Sequence, residues 1–323
     1  MMVLFKTPEI DWVGRRWTFF ACSLALVGVS AAAILVRGFN YGIDFTGGTF
    51  LQVTYEGPKS VGDLRQALEK AGYADATPQS FSGGAKHSFG IRLKGEALMD
   101  AQTVEKFVQA LKTADPEAPF RVDRKEYVGP SVGRHLKKQA IFAIIGALLA
   151  IIVYVAFRFA NPLWGAAGVV ALAHDVAATA GLFALTGKEV DLVIVAALLT
   201  IAGYSINDTI VIFDRMREKM RILRREPIGQ VINASVNETL SRTLTTNACV
   251  LAVVLTLFVF GGPVIHDFSL AMLFGGLVGT YSTVAIATPL VYEWELRKGG
   301  RRAVEAPKPA AGAPAPAPKK AQR

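Results

Sequence analysis

Residues 192–213 read LVIVAALLTIAGYSINDTIVIF, an apolar run of 22 residues interrupted by a polar patch that ends at Asp208. A helix that crosses a bilayer needs about 20 apolar residues at about 1.5 Å each. The stretch therefore predicts a transmembrane span with an aspartate in its inner half. Five more runs have the same character: 17–36, 141–157, 163–187, 243–265 and 268–292. Six such runs are more apolar helix than a fold in water can hold. The reading is an α-helical polytopic membrane protein with six transmembrane helices.

Composition agrees. Hydrophobic residues make up 52% of the 323 residues, and the mean hydropathy is +0.36. Charged residues are 19%, below the roughly 25% of a soluble domain. These values exclude a disordered chain, a disulfide scaffold and an ordinary cytosolic enzyme. Cys22 and Cys249 both lie inside apolar runs, so no structural disulfide is expected between them.

The basic excess, 35 Lys and Arg against 26 Asp and Glu, fits the positive-inside rule better than nucleic-acid binding. With residues 1–16 in the cytoplasm, the arginines and lysines of loop 214–242 and of 293–323 also fall inside. The short outer turns then keep only Lys188. The long loop 37–138, to which Arg134, Lys137 and Lys138 are assigned, is exempt because large domains cross regardless of charge. Ser30-Ala-Ala-Ala33 has the small residues of a cleavage site, but its apolar run exceeds the ~7–15 residues of a signal h-region. The first span is read as retained.

Loop 37–138 has the pattern of a folded domain. Residues 49–55, 79–81, 88–93 and 120–128 read as strands, and 60–71 and 100–114 as helices, with Ser60 as a cap. The order βαββαβ is the ferredoxin-like α+β pattern, placed on the periplasmic side between helices 1 and 2. His87 and His135 stand alone and read as surface histidines. Segment 214–242 reads as an amphipathic inner-face loop. Residues 293–323 form an Ala/Pro-rich tail expected to be extended and disordered.

An ionisable side chain near the bilayer centre costs about 2.5–3.5 kcal/mol on insertion scales, so each one is a functional candidate. Asp208 shares a helical face with Thr200 and Tyr204, and Asn207 adjoins that face. A poorly solvated aspartate can load and release a proton. The alternative is an interhelical bond or a side chain reaching toward cytoplasmic water. Arg242, Thr246 and Asn247 form a polar stripe entering the fifth span. Arg242 has two candidate partners, Glu238 four residues earlier and Asp208 across the helices. His174 and Asp175 lie mid-span and suit either a proton relay or a structural bond between helices. Gly275 and Gly279 mark a face for close packing. No nucleophile–base pair, metal cluster or phosphate loop supports an enzyme, and no cofactor is expected.

One further run, Phe39-Asn-Tyr-Gly-Ile-Asp-Phe-Thr-Gly-Gly48, follows the first span. Its Gly42, Ile43, Asp44, Phe45, Thr46, Gly47 and Gly48 resemble the motif that follows the first span in the SecF subunits of the bacterial Sec translocase. Val128-Gly-Pro-Ser-Val-Gly133, Ala173-His-Asp-Val176, the stretch from Gly203 to Arg215 and Asn237-Glu-Thr-Leu-Ser-Arg-Thr243 are similar to the same family in order and position. That resemblance implies half of a resistance-nodulation-division type transporter, paired with a SecD subunit and associated with the SecYEG channel. It implies a proton gradient as energy source and an unfolded preprotein as cargo, helped through late export and released at the periplasmic side of the inner membrane. It also places Asp208 at the family's span-four carboxylate and Arg242 at the arginine linked to it in the proton path; Asn207, Asn247, His174 and Asp175 are further candidates for that path on the reading of the residues alone. The rival readings are an exporter of the same superfamily, which usually carries twelve spans on one chain, and a non-transporting scaffold.

Overall fold

The structure is a computed structural model that describes residues 8–297 apart from 75, 81–86, 94–100 and 160. Of the Ala/Pro-rich tail read over 293–323, residues 293–297 continue the helix Thr288–Arg297, while 298–323 and the turn at 82–85 lie outside the described residues. In chain order the elements are α1 (Arg16–Arg37), β1 (Asn40–Tyr41), α2 (Ile43–Thr46), β2 (Gly48–Tyr55), α3 (Val61–Lys70), β3 (Thr77–Ser80), β4 (Ser88–Leu93), α4 (Ala101–Ala114), β5 (Phe120–Val128), α5 (Pro130–Phe159), α6 (Pro162–Thr186), β6 (Glu189–Val190), α7 (Leu192–Ile222), α8 (Ile228–Phe260), α9 (Gly262–Ser282) and α10 (Thr288–Arg297). A single π-helical segment, Thr283–Ala287, joins α9 to α10. Among the described residues, 6 helices are long and apolar enough to cross a membrane: α1, α5, α6, α7, α8 and the α9–α10 rod.

Between α1 and α5 the chain folds into a four-stranded antiparallel sheet of order β3-β4-β2-β5. Side chains alternate across the pleat. Leu51, Val53, Tyr55, Phe89, Ile91 and Leu93 therefore share one face and pack on Leu64, Leu68, Phe107 and Leu111 of α3 and α4. Ser60 caps α3, accepting from the Asp63 N–H at 3.1 Å, while Asp63 Oδ2 accepts from the Ser60 N–H at 3.0 Å. This reciprocal pair satisfies two groups that a helix end otherwise leaves bare.

Three boundaries differ from the sequence reading. The outer loop was bounded at 138, yet α5 begins at Pro130. Proline suits the first helical turn, and nothing interrupts the helix before the apolar run. Arg134, Lys137 and Lys138 thus ride on the helix, with Lys137 Nζ 4.2 Å from the Tyr41 ring centroid. Loop 214–242 is mostly helix as well. α7 runs on to Ile222 and α8 starts at Ile228. The extensions are joined by ion pairs from Arg215 and Lys219 to Glu238. The last span is not one regular helix, because the π segment Thr283–Ala287 interrupts it.

α6, α7 and the α9–α10 rod are mostly buried, whereas α1, α5 and α8 are largely exposed. The centre is closed by small residues. A Cβ on Gly275 would sit 2.3 Å from Ile201 Cδ1, and one on Gly181 2.2 Å from Ser30 Cβ. On the N-terminal side of α1, the Trp12 and Val13 N–H groups both donate to Asn233 Oδ1 at 3.0 Å, and Trp12 Nε1 donates to Asn237 Oδ1 at 2.8 Å. Asn237 therefore holds the N-terminal segment against α8.

Candidate functional site

Asp208 is only 5% exposed, on the inward face of α7. Its Oδ2 accepts from Asn247 Nδ2 of α8 at 2.9 Å. The same amide nitrogen donates to Thr280 Oγ1 of α9 at 2.6 Å. An amide NH2 carries two hydrogens, so one side chain ties three helices together. Asn247 Oδ1 is buried without a hydrogen-bond partner among the described residues.

Neither candidate partner of Arg242 is bonded to it. Among the described residues Arg242 forms no ion pair within 4 Å, and its side chain lies on the exposed side of α8. Glu238 pairs instead with Arg215 and Lys219, because the extension of α7 brings those two residues across to it. Arg242 does lie within electrostatic range of Asp208. Asn207 is exposed rather than beside Asp208, and so is Thr200, whose hydroxyl bonds back to Ala196 O at 2.8 Å. The face shared in the sequence reading divides: Asp208 turns inward, Thr200 and Asn207 outward.

Asp175 is 0% exposed and has three donors. Its Oδ1 lies 3.0 Å from His174 Nδ1. Its Oδ2 accepts from Ser205 Oγ of α7 at 2.6 Å and from Ser282 Oγ of α9 at 2.7 Å. His174 Nε2 is buried without a partner among the described residues. Ser205 and Asp208 are three residues apart and so occupy neighbouring turns of one face of α7. Ser282 immediately precedes the π segment, a form that recurs at functional sites. Ser205, Ser282 and Thr280 were missed in the sequence. The available signal was a hydroxyl near each packing glycine: a Cβ on Gly279 would sit 3.2 Å from Ser205 Cβ and 3.5 Å from Asp175 Oδ2.

The glycine motif 42–48 forms a joint. Gly42 N–H donates to Val190 O at 2.9 Å, extending the parallel β1–β6 pair. Asp44 Oδ2 accepts from Leu192 N–H, the first residue of α7, at 3.0 Å. Phe45 is buried with Ala140 of α5 and Val195 of α7. Arg92 of β4 is ion-paired with Glu189 and donates to Asn40 Oδ1 at 3.1 Å. Burial pushes the Glu189 and Asp191 carboxyls above the usual carboxylate range, and Arg92 pulls Glu189 part of the way back. Beside the joint lies a cavity of about 410 Å³ lined by Asp44, Glu126, Glu189, Asp191 and Asp267, with Phe50 and Gln52 from the sheet.

Two family models match the chain: "Protein export membrane protein SecD/SecF, C-terminal" over residues 106–297, and "SecD/SecF GG Motif" over residues 32–59. The protein translocase subunit SecF of Endomicrobium trichonymphae is 39% identical over 93% of this chain and 96% of its own length. That of Escherichia coli O157:H7 is 42% identical over 88% of each. The crystal structure of SecDF from Thermus thermophilus, titled a translocon-associated membrane protein, superposes with a TM-score of 0.82 at 37% identity. It covers 92% of this chain, which spans 40% of that longer one. The six long apolar helices, the sheet that follows the first of them and these relatives together show that the chain belongs to the SecF family of protein translocase subunits.

Proposed function

We propose that the chain is one half of a proton-driven unit that promotes the late steps of polypeptide export. The observation that carries this reading is Asp208: a buried carboxylate on a membrane helix whose bonded partner is a neutral amide, not a cation. A carboxylate fixed by a bonded guanidinium would stay charged. One held by an amide can be loaded and emptied. Arg242 lies five residues from Asn247 on the same helix, about 7.5 Å along the axis and about 140° around it, so pairing with the emptied carboxylate requires α8 to rotate and slide against α7. Each proton moving through 100 mV releases about 2.3 kcal/mol, enough to bias two helix arrangements.

In this reading the termini are cytoplasmic and the protein sits in the bacterial inner membrane. The ferredoxin-like domain is periplasmic and holds the emerging, unfolded preprotein. Asp175, held by three donors, is the fixed anchor between α6, α7 and α9. A SecD subunit completes the unit, next to the SecYEG channel. The fused SecDF relative, of which this chain spans 40%, supports that pairing. The test is preprotein completion in inverted membrane vesicles with and without a proton-motive force. Asp208→Asn should remove the force-dependent part and leave the force-independent part. A force-dependent part that survives intact in that variant sinks the proposal.

A further inference from the structure

We propose that Asp44 is a positioning residue for the proton site. It locks the base of the outer domain to the end of the helix that carries Asp208, so that movement of that helix is delivered to the domain. This inference rests on the proton-driven reading above.

Four observations carry it. First, α7 does not need Asp44 as a cap. Asp191, its own N-cap residue, already accepts from Ile194 N–H at 2.9 Å. Asp44 comes from 148 residues away to take a second of the bare N–H groups, that of Leu192. A bond to a bare N–H of α7 from so far away in sequence joins two elements as well as capping one.

Second, the joint has no slack on the domain side. Gly47 (φ +73°) and Gly48 (φ +127°) adopt conformations that side chains avoid. A Cβ on Gly47 would lie 2.8 Å from Pro130 Cα, and one on Gly48 2.8 Å from Leu93 O. β2 therefore begins one residue after α2 ends, pressed against both β4 and the start of α5.

Third, the two glycine motifs interlock. A Cβ on Gly133 of α5 would lie 2.9 Å from Gly47 N. Phe45 fills the space between α5 and α7 just below, against Ala140 and Val195. A plain tight turn would need the glycines; it would need neither the buried Phe45 nor the carboxylate.

Fourth, α7 is an unbroken helix of 31 residues. Asp208 lies sixteen residues beyond Leu192, about 24 Å along the axis. A tilt or axial shift set at Asp208 reaches Leu192 through a continuous rod, and Asp44 is bonded to that end.

The test uses the chain assembled with its SecD partner in membrane vesicles. Cys22 and Cys249 are replaced by Ser, and spin labels are placed at Arg121 on β5 and at Leu185 near the outer end of α6, both exposed. One readout is the distance distribution, the other force-dependent preprotein completion. Loss of one cap-type bond shifts a docked–undocked balance about fivefold. Asp44→Ala should therefore broaden the distribution and lower force-dependent completion about fivefold. Asp44→Asn, which still presents an oxygen to Leu192 N–H, should restore both. Where Asp44→Ala fails to accumulate, Asp44→Leu, which keeps the bulk and offers no acceptor, is read the same way. A wild-type distribution in the variant overturns the proposal, and so does a broadened distribution with normal completion. Vesicles whose wild type lacks force-dependent completion overturn the proton-driven reading and the coupling together. Normal completion in both wild type and variant overturns the coupling alone.

Discussion

Asn247 donates to Asp208 at 2.9 Å and, from the same nitrogen, to Thr280 at 2.6 Å. The carboxylate is thus held by a group that gains or loses nothing when a proton arrives, and α7, α8 and α9 meet at one amide. Asn247→Leu removes the donor and leaves a buried acceptor bare, at about 1–3 kcal/mol. Force-dependent completion in vesicles should fall about tenfold, since 1.4 kcal/mol is a factor of ten. Asn247→Gln, which keeps the amide, should retain part of it. Equal activity in wild type and Asn247→Leu would separate Asn247 from the site.

Close packing of α1 on α6 rests on one missing side chain. A Cβ on Gly181 would lie 2.2 Å from Ser30 Cβ. Gly181→Ala should destabilise the detergent-solubilised protein by about 1–3 kcal/mol, seen as a lower thermal midpoint. Adding Ser30→Gly should recover only part of it, because the new Cβ would still lie 2.6 Å from the Cα of residue 30. Gly28→Ala on the same helix, where a Cβ meets nothing within 4 Å, should be neutral or slightly stabilising. An unchanged thermal midpoint in Gly181→Ala would show that the α1–α6 contact is not closely packed at this point.

The domain between α1 and α5 carries a pH-dependent cap. The Ser60 hydroxyl and its backbone N–H hold the Asp63 carboxyl below the usual carboxylate range. A carboxyl lowered on folding contributes its stability fully above the unfolded value of about 3.9, and loses it as pH falls through the folded value. Hydrogen exchange of the first turn of α3 should therefore lose protection as the pH drops below about 4. Ser60→Ala should start about fivefold less protected at neutral pH and show a smaller acid loss. Identical profiles would mean that the cap carries no stability.

Much of this architecture was legible because the bilayer imposes length and polarity so strictly. A run such as 192–213 has few folds open to it, and Asp208 stands out by the cost of placing it there. The helical extensions beyond the membrane were illegible for the converse reason. In 214–222 and 228–242 hydropathy falls away while the helix continues, carried by the Arg215 and Lys219 pairs to Glu238. Ser205 and Ser282 were hidden because hydroxyls are common and inexpensive in membrane helices and lie far from Asp175 in sequence. The Asp44–Leu192 bond spans 148 residues, and no local pattern encodes such a contact. Arg242 shows the limit of spacing arguments: four residues from Glu238, it is still unpaired with it, because a neighbouring helix supplies two other cations.

Asp175 gives the sharpest separation between an anchor and a relay. Its Oδ2 accepts from Ser205 at 2.6 Å and Ser282 at 2.7 Å, and its Oδ1 faces His174. Ser205→Ala and Ser282→Ala each leave one hydroxyl on Oδ2, so each should cost only the net worth of a hydrogen bond to a charged group, about 1.5–3 kcal/mol. Together they leave Oδ2 bare in a site with no access to water. The double variant should then cost more than the two singles combined, with a coupling of about 0.5–3 kcal/mol, measured by thermal unfolding in detergent. The functional profile distinguishes the roles. As an anchor, Asp175 sets how firmly α7 and α9 are held, so either serine variant should lower the amplitude of force-dependent completion without moving its pH dependence. As a relay, Asp175 would titrate during the cycle, and loss of a donor would move the pH profile. Strict additivity with a displaced profile would overturn the anchor and make Asp175 a second proton-carrying group.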